Sequence, residues 1–145
     1  MNKLLSCACG GKYKDEAYAL LRVVTGFMFF MHGYTKFKMG VGAIVGFFGS
    51  IGVPLAGIVA PVVVYGEMIG GVMLILGFCT HWVSKLNIII ILGAIFFVHF
   101  ANGYGAAEGG YEYALLILAV SLLTLSHGSG KYSLDERRNA STQPM

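Results

Sequence analysis

At 145 residues the chain has room for a single domain. Hydrophobic residues make up 57% of it and charged residues only 12%. That is about half the roughly 25% charge of an ordinary soluble domain, so water cannot be the main neighbour of its surface. The formal net charge of +3 is small, and the basic residues are scattered rather than interleaved with aromatics, which argues against a nucleic-acid partner.

Residues 1–16 form a short polar segment carrying Lys3, Lys12 and Lys14, with Cys7 and Cys9 in a Cys-x-Cys pair. No further Cys or His lies near the pair, so an inert or acylated pair is favoured over a metal or redox site. Too few residues precede Cys7 for the apolar region of a lipoprotein leader.

Four stretches then approach the ~20 apolar residues that a membrane-crossing helix needs. They run over about 17–37, 55–78, 81–100 and 111–126, the last near the lower limit of length. Continuous apolar runs without period-2 alternation exclude a β-barrel, so the expected fold is an all-α, four-helix transmembrane bundle over residues 17–127. The apolar segment 41–53 is too short to cross. It is expected to be a short helix lying at the interface and stopping before Pro54, with a re-entrant segment as the alternative. Residues 128–145 turn polar and form a tail whose end is expected to be mobile. With four crossings, Lys3, Lys12, Lys14, Lys85, Lys131, Arg137 and Arg138 share one side and Lys36 and Lys38 the other. Both termini are therefore predicted cytoplasmic, in a plasma (inner) membrane.

A plain anchor would not carry Arg22, His32, Lys36, Glu67, His99, Asn102 and Glu112 within or at the ends of its spans. Charges inside a bilayer are costly, so they face inward and pair, and they mark sites by default. Arg22, His32 and Lys36 share one stripe of the first helix, with Gly26 and Gly33 beside it to allow close approach. Depth counting at ~1.5 Å per residue predicts an Arg22–Glu67 pair near mid-membrane. The same counting predicts a second cluster of His32, Lys36, His99, Asn102 and Glu112 toward the outer ends. Each has a plainer reading: Arg22–Glu67 as a lock between helices, and Lys36 and Lys38 as residues snorkelling to the headgroups. His81 and Trp82 read as interfacial anchors, Tyr104, Tyr111 and Tyr113 as an aromatic belt, and His127 as solvated. Asn87 is expected to make an interhelical hydrogen bond, and Gly66–Gly70 a small-xxx-small helix contact. A metal is disfavoured because Lys36 would repel it and no His-x-x-x-His pair exists.

Taken together, LLRVVTGFMFFMHGYTKF, GFFGSIGVP, YGEMIGGVMLILGFCTHWVSKL, FFVHFANGY and GGYEYALLILAVSLLTLSHGSGKYSLD resemble the DoxX family of small four-helix membrane proteins. The combination of Arg22, His32–Gly33, Lys36, Glu67, His99, Asn102–Gly103 and Gly110–Tyr111–Glu112 carries the likeness. The longer Cys-containing N-terminal segment departs from it. The resemblance implies association with quinol oxidase or thiosulfate–quinone oxidoreductase complexes, or with redox stress, quinone or catechol resistance and thiol balance. A quinone is thus the implied ligand, with no covalently held cofactor. The chain lacks haem or iron–sulfur spacing, so a redox-complex partner subunit would supply any redox centre. The expected partners are the lipid bilayer and either that subunit or a second copy packed through the glycine-rich faces. A structural or assembly subunit without a ligand is the competing expectation, and a small-solute transporter a third.

Overall fold

The structure, a computed structural model, describes residue 11 and residues 13–142. Lys3, Cys7, Cys9 and Lys12 lie outside the described residues. Among the described residues all regular structure is helical: α1 (Lys14–Met39), α2 (Val41–Ser50), α3 (Ala56–Leu76), α4 (Thr80–Ala94), α5 (Glu112–His127) and α6 (Leu134–Thr142). Short 3₁₀ turns cover Phe100–Asn102 and Ala106–Glu108, and a π-helical turn at Ile95–His99 continues α4. Of these, α3 and the continuous helix Thr80–Asn102 are long and apolar enough to cross a membrane.

Local chemistry explains the boundaries. Asp15 and Glu16 in the first turn of α1, and Lys36 and Lys38 in its last, complement the helix dipole. At the end of α3 the chain turns through Gly77 at φ 64°, with Gly77 N–H donating to Leu74 O and Phe78 N–H to Met73 O. This is a Schellman stop, which needs a residue that tolerates the left-handed region. The π turn lies at the C-terminal end of α4 and closes on His99. Such single-turn bulges are frequent at functional sites.

α1 and α3 run antiparallel with their backbones touching. A Cβ built on Gly71 would lie 2.5 Å from Phe30 N and 2.6 Å from Gly26 O, and one on Gly33 would lie 2.7 Å from Met68 N. Gly66 and Gly70 turn to α4 instead, where their Cβ positions would sit 3.4 Å from Leu86 and 3.3 Å from Val83. α4 joins α5 through the buried Ser84–Thr124 hydroxyl pair at 2.9 Å. The bond expected of Asn87 is not made: both polar atoms of its amide are buried and lack a partner among the described residues. α2 lays Ile44 and Phe48 against Ala60 and Val64 of α3. Ile69, Ile89 and Leu116 are each about 60% exposed or more, pointing outward from three different helices. A surface this apolar on several sides suits lipid rather than water.

The polar tail folds back on the bundle. The Asp135 carboxylate accepts the N–H groups of Cys79 (2.9 Å) and Thr80 (3.0 Å) at the start of α4, while its own N–H donates to Gly77 O. The Tyr18 hydroxyl donates to Gly128 O, and the Tyr132 hydroxyl to Glu16 at 3.1 Å. His127 is exposed, as expected, and its ring lies 4.1 Å from that of Tyr18.

Candidate functional site

A cavity of about 900 Å³ lies among α1 to α5. Its wall is mostly apolar, with Ile44 and Phe48 from α2, Val59 and Val63 from α3, Ile90 from α4 and Ile117 from α5. Small-molecule sites have this character: apolar walls with a few converging polar groups. Here those groups are His32, Lys36, Glu67, His99 and Tyr113.

Lys36 Nζ donates to Glu67 Oε2 at 2.5 Å, and the Glu67 side chain is only 6% exposed. The pair sits beside the α1–α3 crossing, where Gly33 admits the backbone of Val64 and Met68. Lys36 lies in the last turn of α1, and its long stem carries the ammonium to the carboxylate. The His32 and Tyr113 rings approach at 5.8 Å between centroids. His32 is within electrostatic reach of both Lys36 and His99. His99 Nδ1 lies 2.7 Å from Gly109 O, and since a carbonyl only accepts, Nδ1 carries the proton.

The structure thus gathers four of the seven sequence-predicted residues at the cavity and sends three elsewhere. The predicted Arg22–Glu67 pair does not form. Arg22, 1% exposed, donates instead to the carbonyls of Leu74 and Ile75 (3.0 Å) and to Tyr132 O (2.5 Å). It thereby caps the end of α3 and fastens the tail. Leu74 and Ile75 lie about 11–12 Å beyond Glu67 along the α3 axis, at ~1.5 Å per residue. The glycine-set register of α1 on α3 brings Glu67 level with the C-terminal half of α1. The second predicted cluster also divides. Asn102 donates to Val98 O (3.4 Å) and to Gly109 O (3.3 Å). Glu112 accepts the Ala106 N–H at 3.0 Å. Both therefore serve to fold the 103–111 loop. Tyr113, read from sequence as part of an aromatic belt, faces the cavity, while Tyr104 and Tyr111 pack edge-to-face outside it. The signal for Tyr113 was available: the buried stripe Ala114, Ile117, Ser121 and Thr124 marks the inward face of α5 beside it.

The DoxX family profile matches residues 17–100, which hold α1 from Ala17 onward, α2 to α4 and the histidine of the π turn. The chain belongs to the DoxX family. It is 40% identical over 104 residues to a Bacillus subtilis protein named "Putative oxidoreductase CatD", a match covering 71% of this chain and 74% of the relative. It is also 33% identical over 129 residues to an uncharacterized protein of Haemophilus influenzae, covering 87% and 93% of the two chains. No solved structure matches the chain significantly. This DoxX protein is accordingly a membrane protein, and its apolar outer faces meet lipid.

Proposed function

We propose that this DoxX protein binds a quinone-type redox lipid in the cavity between α1 and α5, as an accessory component of a membrane oxidoreductase. The observation that carries this reading is the pairing of a large apolar chamber with one polar end made of His32, the Lys36–Glu67 pair, His99 and Tyr113. A quinone-type lipid has the matching shape: an apolar ring and tail with two oxygen atoms to hydrogen-bond. The name of the Bacillus subtilis relative points to the same class of chemistry.

In this reading the bilayer is crossed four times, by α1, α3, α4 and α5. α2 lies at the outer interface, and both termini face the cytoplasm across the plasma membrane. At ~1.5 Å per residue the 26 residues of α1 reach about 39 Å, ample for a hydrocarbon core of ~30 Å. The 16 residues of α5 reach about 24 Å, short enough to need local thinning or polar ends near the headgroups. The basic residues Lys85, Lys131, Arg137 and Arg138 collect on the inner side of this arrangement.

Thermal unfolding of the detergent-purified protein, with and without ubiquinone and menaquinone analogues in both redox forms, tests the ligand. A ligand that binds only the folded state, present at about 100 times its dissociation constant, adds ~2.7 kcal/mol. A shift lost in a His32→Ala, His99→Ala double variant supports the reading, and no shift with any analogue refutes it. The competing reading is an assembly subunit. It is favoured by Arg22, Asn102 and Glu112, whose hydrogen bonds among the described residues go to backbone groups of the fold. It predicts no ligand response and a fall in folding yield for Glu67→Gln.

A further inference from the structure

The two redox forms of a quinone-type lipid differ in hydrogen-bonding polarity. The oxidised form presents carbonyl oxygens, which only accept; the reduced form presents hydroxyls, which also donate. The wall of the cavity distinguishes them. His99 is held by its Nδ1–H to Gly109 O, and that same carbonyl takes a second hydrogen bond from Asn102. The carbonyl is therefore fixed from two sides, and it fixes the tautomer of the neutral ring. A backbone partner of this kind sets which nitrogen is free. Nε2 is left as an acceptor, with no hydrogen-bond partner among the described residues, on a side chain that lines the cavity. Glu67 adds a second acceptor, because Lys36 bonds only its Oε2. A carbonyl oxygen brought to either group would set lone pair against lone pair. His32, Tyr113 and the remaining N–H groups of Lys36 can serve either redox form.

We propose that the cavity selects the reduced, hydroxyl-bearing form of its aromatic ligand, a hydroquinone, with His99 Nε2 accepting one ligand hydroxyl as the specificity-determining contact. This rests on the reading of the cavity as a quinone-type site. Asn102 acts through Gly109 as a positioning residue and does not touch the ligand.

The test is equilibrium binding of decylubiquinol and decylubiquinone to the detergent-purified full chain under anaerobic conditions. The two share one skeleton and tail and differ only in the two hydrogens. The reduced form is expected to bind about tenfold more tightly, the ratio a single well-placed hydrogen bond supplies. In His99→Asn the new amide keeps a donor near the position of Nδ1 and so can hold the loop, while the acceptor at Nε2 is gone. The preference is expected to collapse to within about threefold, the range of one weak contact. His99→Gln keeps an acceptor near the Nε2 position and is expected to retain most of the preference. Equal binding, tighter binding of the oxidised form, or an unchanged preference in His99→Asn overturns the proposal and leaves the quinone-type site standing. Binding of neither form removes both.

Discussion

Lys36 and Glu67 meet at 2.5 Å just beyond the point where Gly33 of α1 touches α3, so this close helix contact and the ion pair hold each other in place. Removing one partner leaves a charge in a poorly solvated place, whereas removing both leaves none. Lys36→Met is therefore expected to destabilise by about 3 kcal/mol, toward the lower end for breaking a buried pair because the lysine side chain is 26% exposed. The double variant Lys36→Met, Glu67→Leu is expected to recover most of that loss while abolishing any binding that depends on the pair. Thermal unfolding of the three proteins in one detergent reads the order. A double variant as unstable as the single one would mean that the pair is not acting as a unit.

Arg22 is a fastener rather than a site residue. Its planar guanidinium donates from two separate nitrogens, Nη1 to Leu74 and Ile75 and Nη2 to Tyr132, a spread that the single nitrogen of a lysine ammonium cannot match. Arg22→Lys is expected to cost on the order of 2 kcal/mol, as hydrogen bonds to a charged group do. It is also expected to free residues 128–142, since Tyr132 O loses its donor. Limited proteolysis checks this: cleavage within the tail should quicken several-fold while the rest of the chain stays resistant. Unchanged tail cleavage would show that Asp135 and Tyr18 hold that segment on their own.

Most of the helices were legible because a lipid-facing helix announces itself by length and continuous apolarity. α1, α3, α4 and α5 fall within a few residues of the expected spans, and α2 occupies the short segment before Pro54. Gly26 and Gly33 were correctly read as a close-approach face. What the sequence does not carry is register. Depth counting assumed that each helix begins at the same membrane plane, whereas the observed offset comes from Gly71 seating against Phe30 and Gly26. That offset moved Glu67 from Arg22 to Lys36. The π turn at Ile95–His99 has no residue signature and so could not be foreseen. The folded-back tail was missed for a similar reason: Asp135 caps a helix that starts 55 residues earlier.

Gly71 and Gly93 make a matched pair for testing how much the α1–α3 contact matters. A Cβ on Gly71 meets backbone atoms of α1 at 2.5 and 2.6 Å, which no rotamer change relieves, whereas one on Gly93 meets nothing within 4 Å. Gly71→Ala is expected to force α1 away from α3 at a cost of about 3 kcal/mol, the upper range for overpacking, and to loosen the Lys36–Glu67 pair with it. Gly93→Ala is expected to be neutral or slightly stabilising, since alanine is the better helix former by about 1 kcal/mol. Comparable melting temperatures for the two variants would contradict the close crossing.

Tyr132 gives a pH signature outside the membrane. Its hydroxyl donates to Glu16 at 3.1 Å, and that hydrogen bond, with the carboxylate's negative charge, holds the phenol above its ordinary range. A folded-state pKa raised above the unfolded value means the contact stabilises fully below about pH 10 and is lost as pH rises through the folded value. The side chain is about half exposed, so solvent screens the contact, the effect on global stability is slight and the readout has to be local. Ultraviolet difference titration of the wild type minus a Tyr132→Phe variant isolates this phenol. Its midpoint is expected above that of an ordinary tyrosine, and Glu16→Gln is expected to bring it down. A midpoint that ignores Glu16→Gln would show that α1 and the tail are not joined at this point.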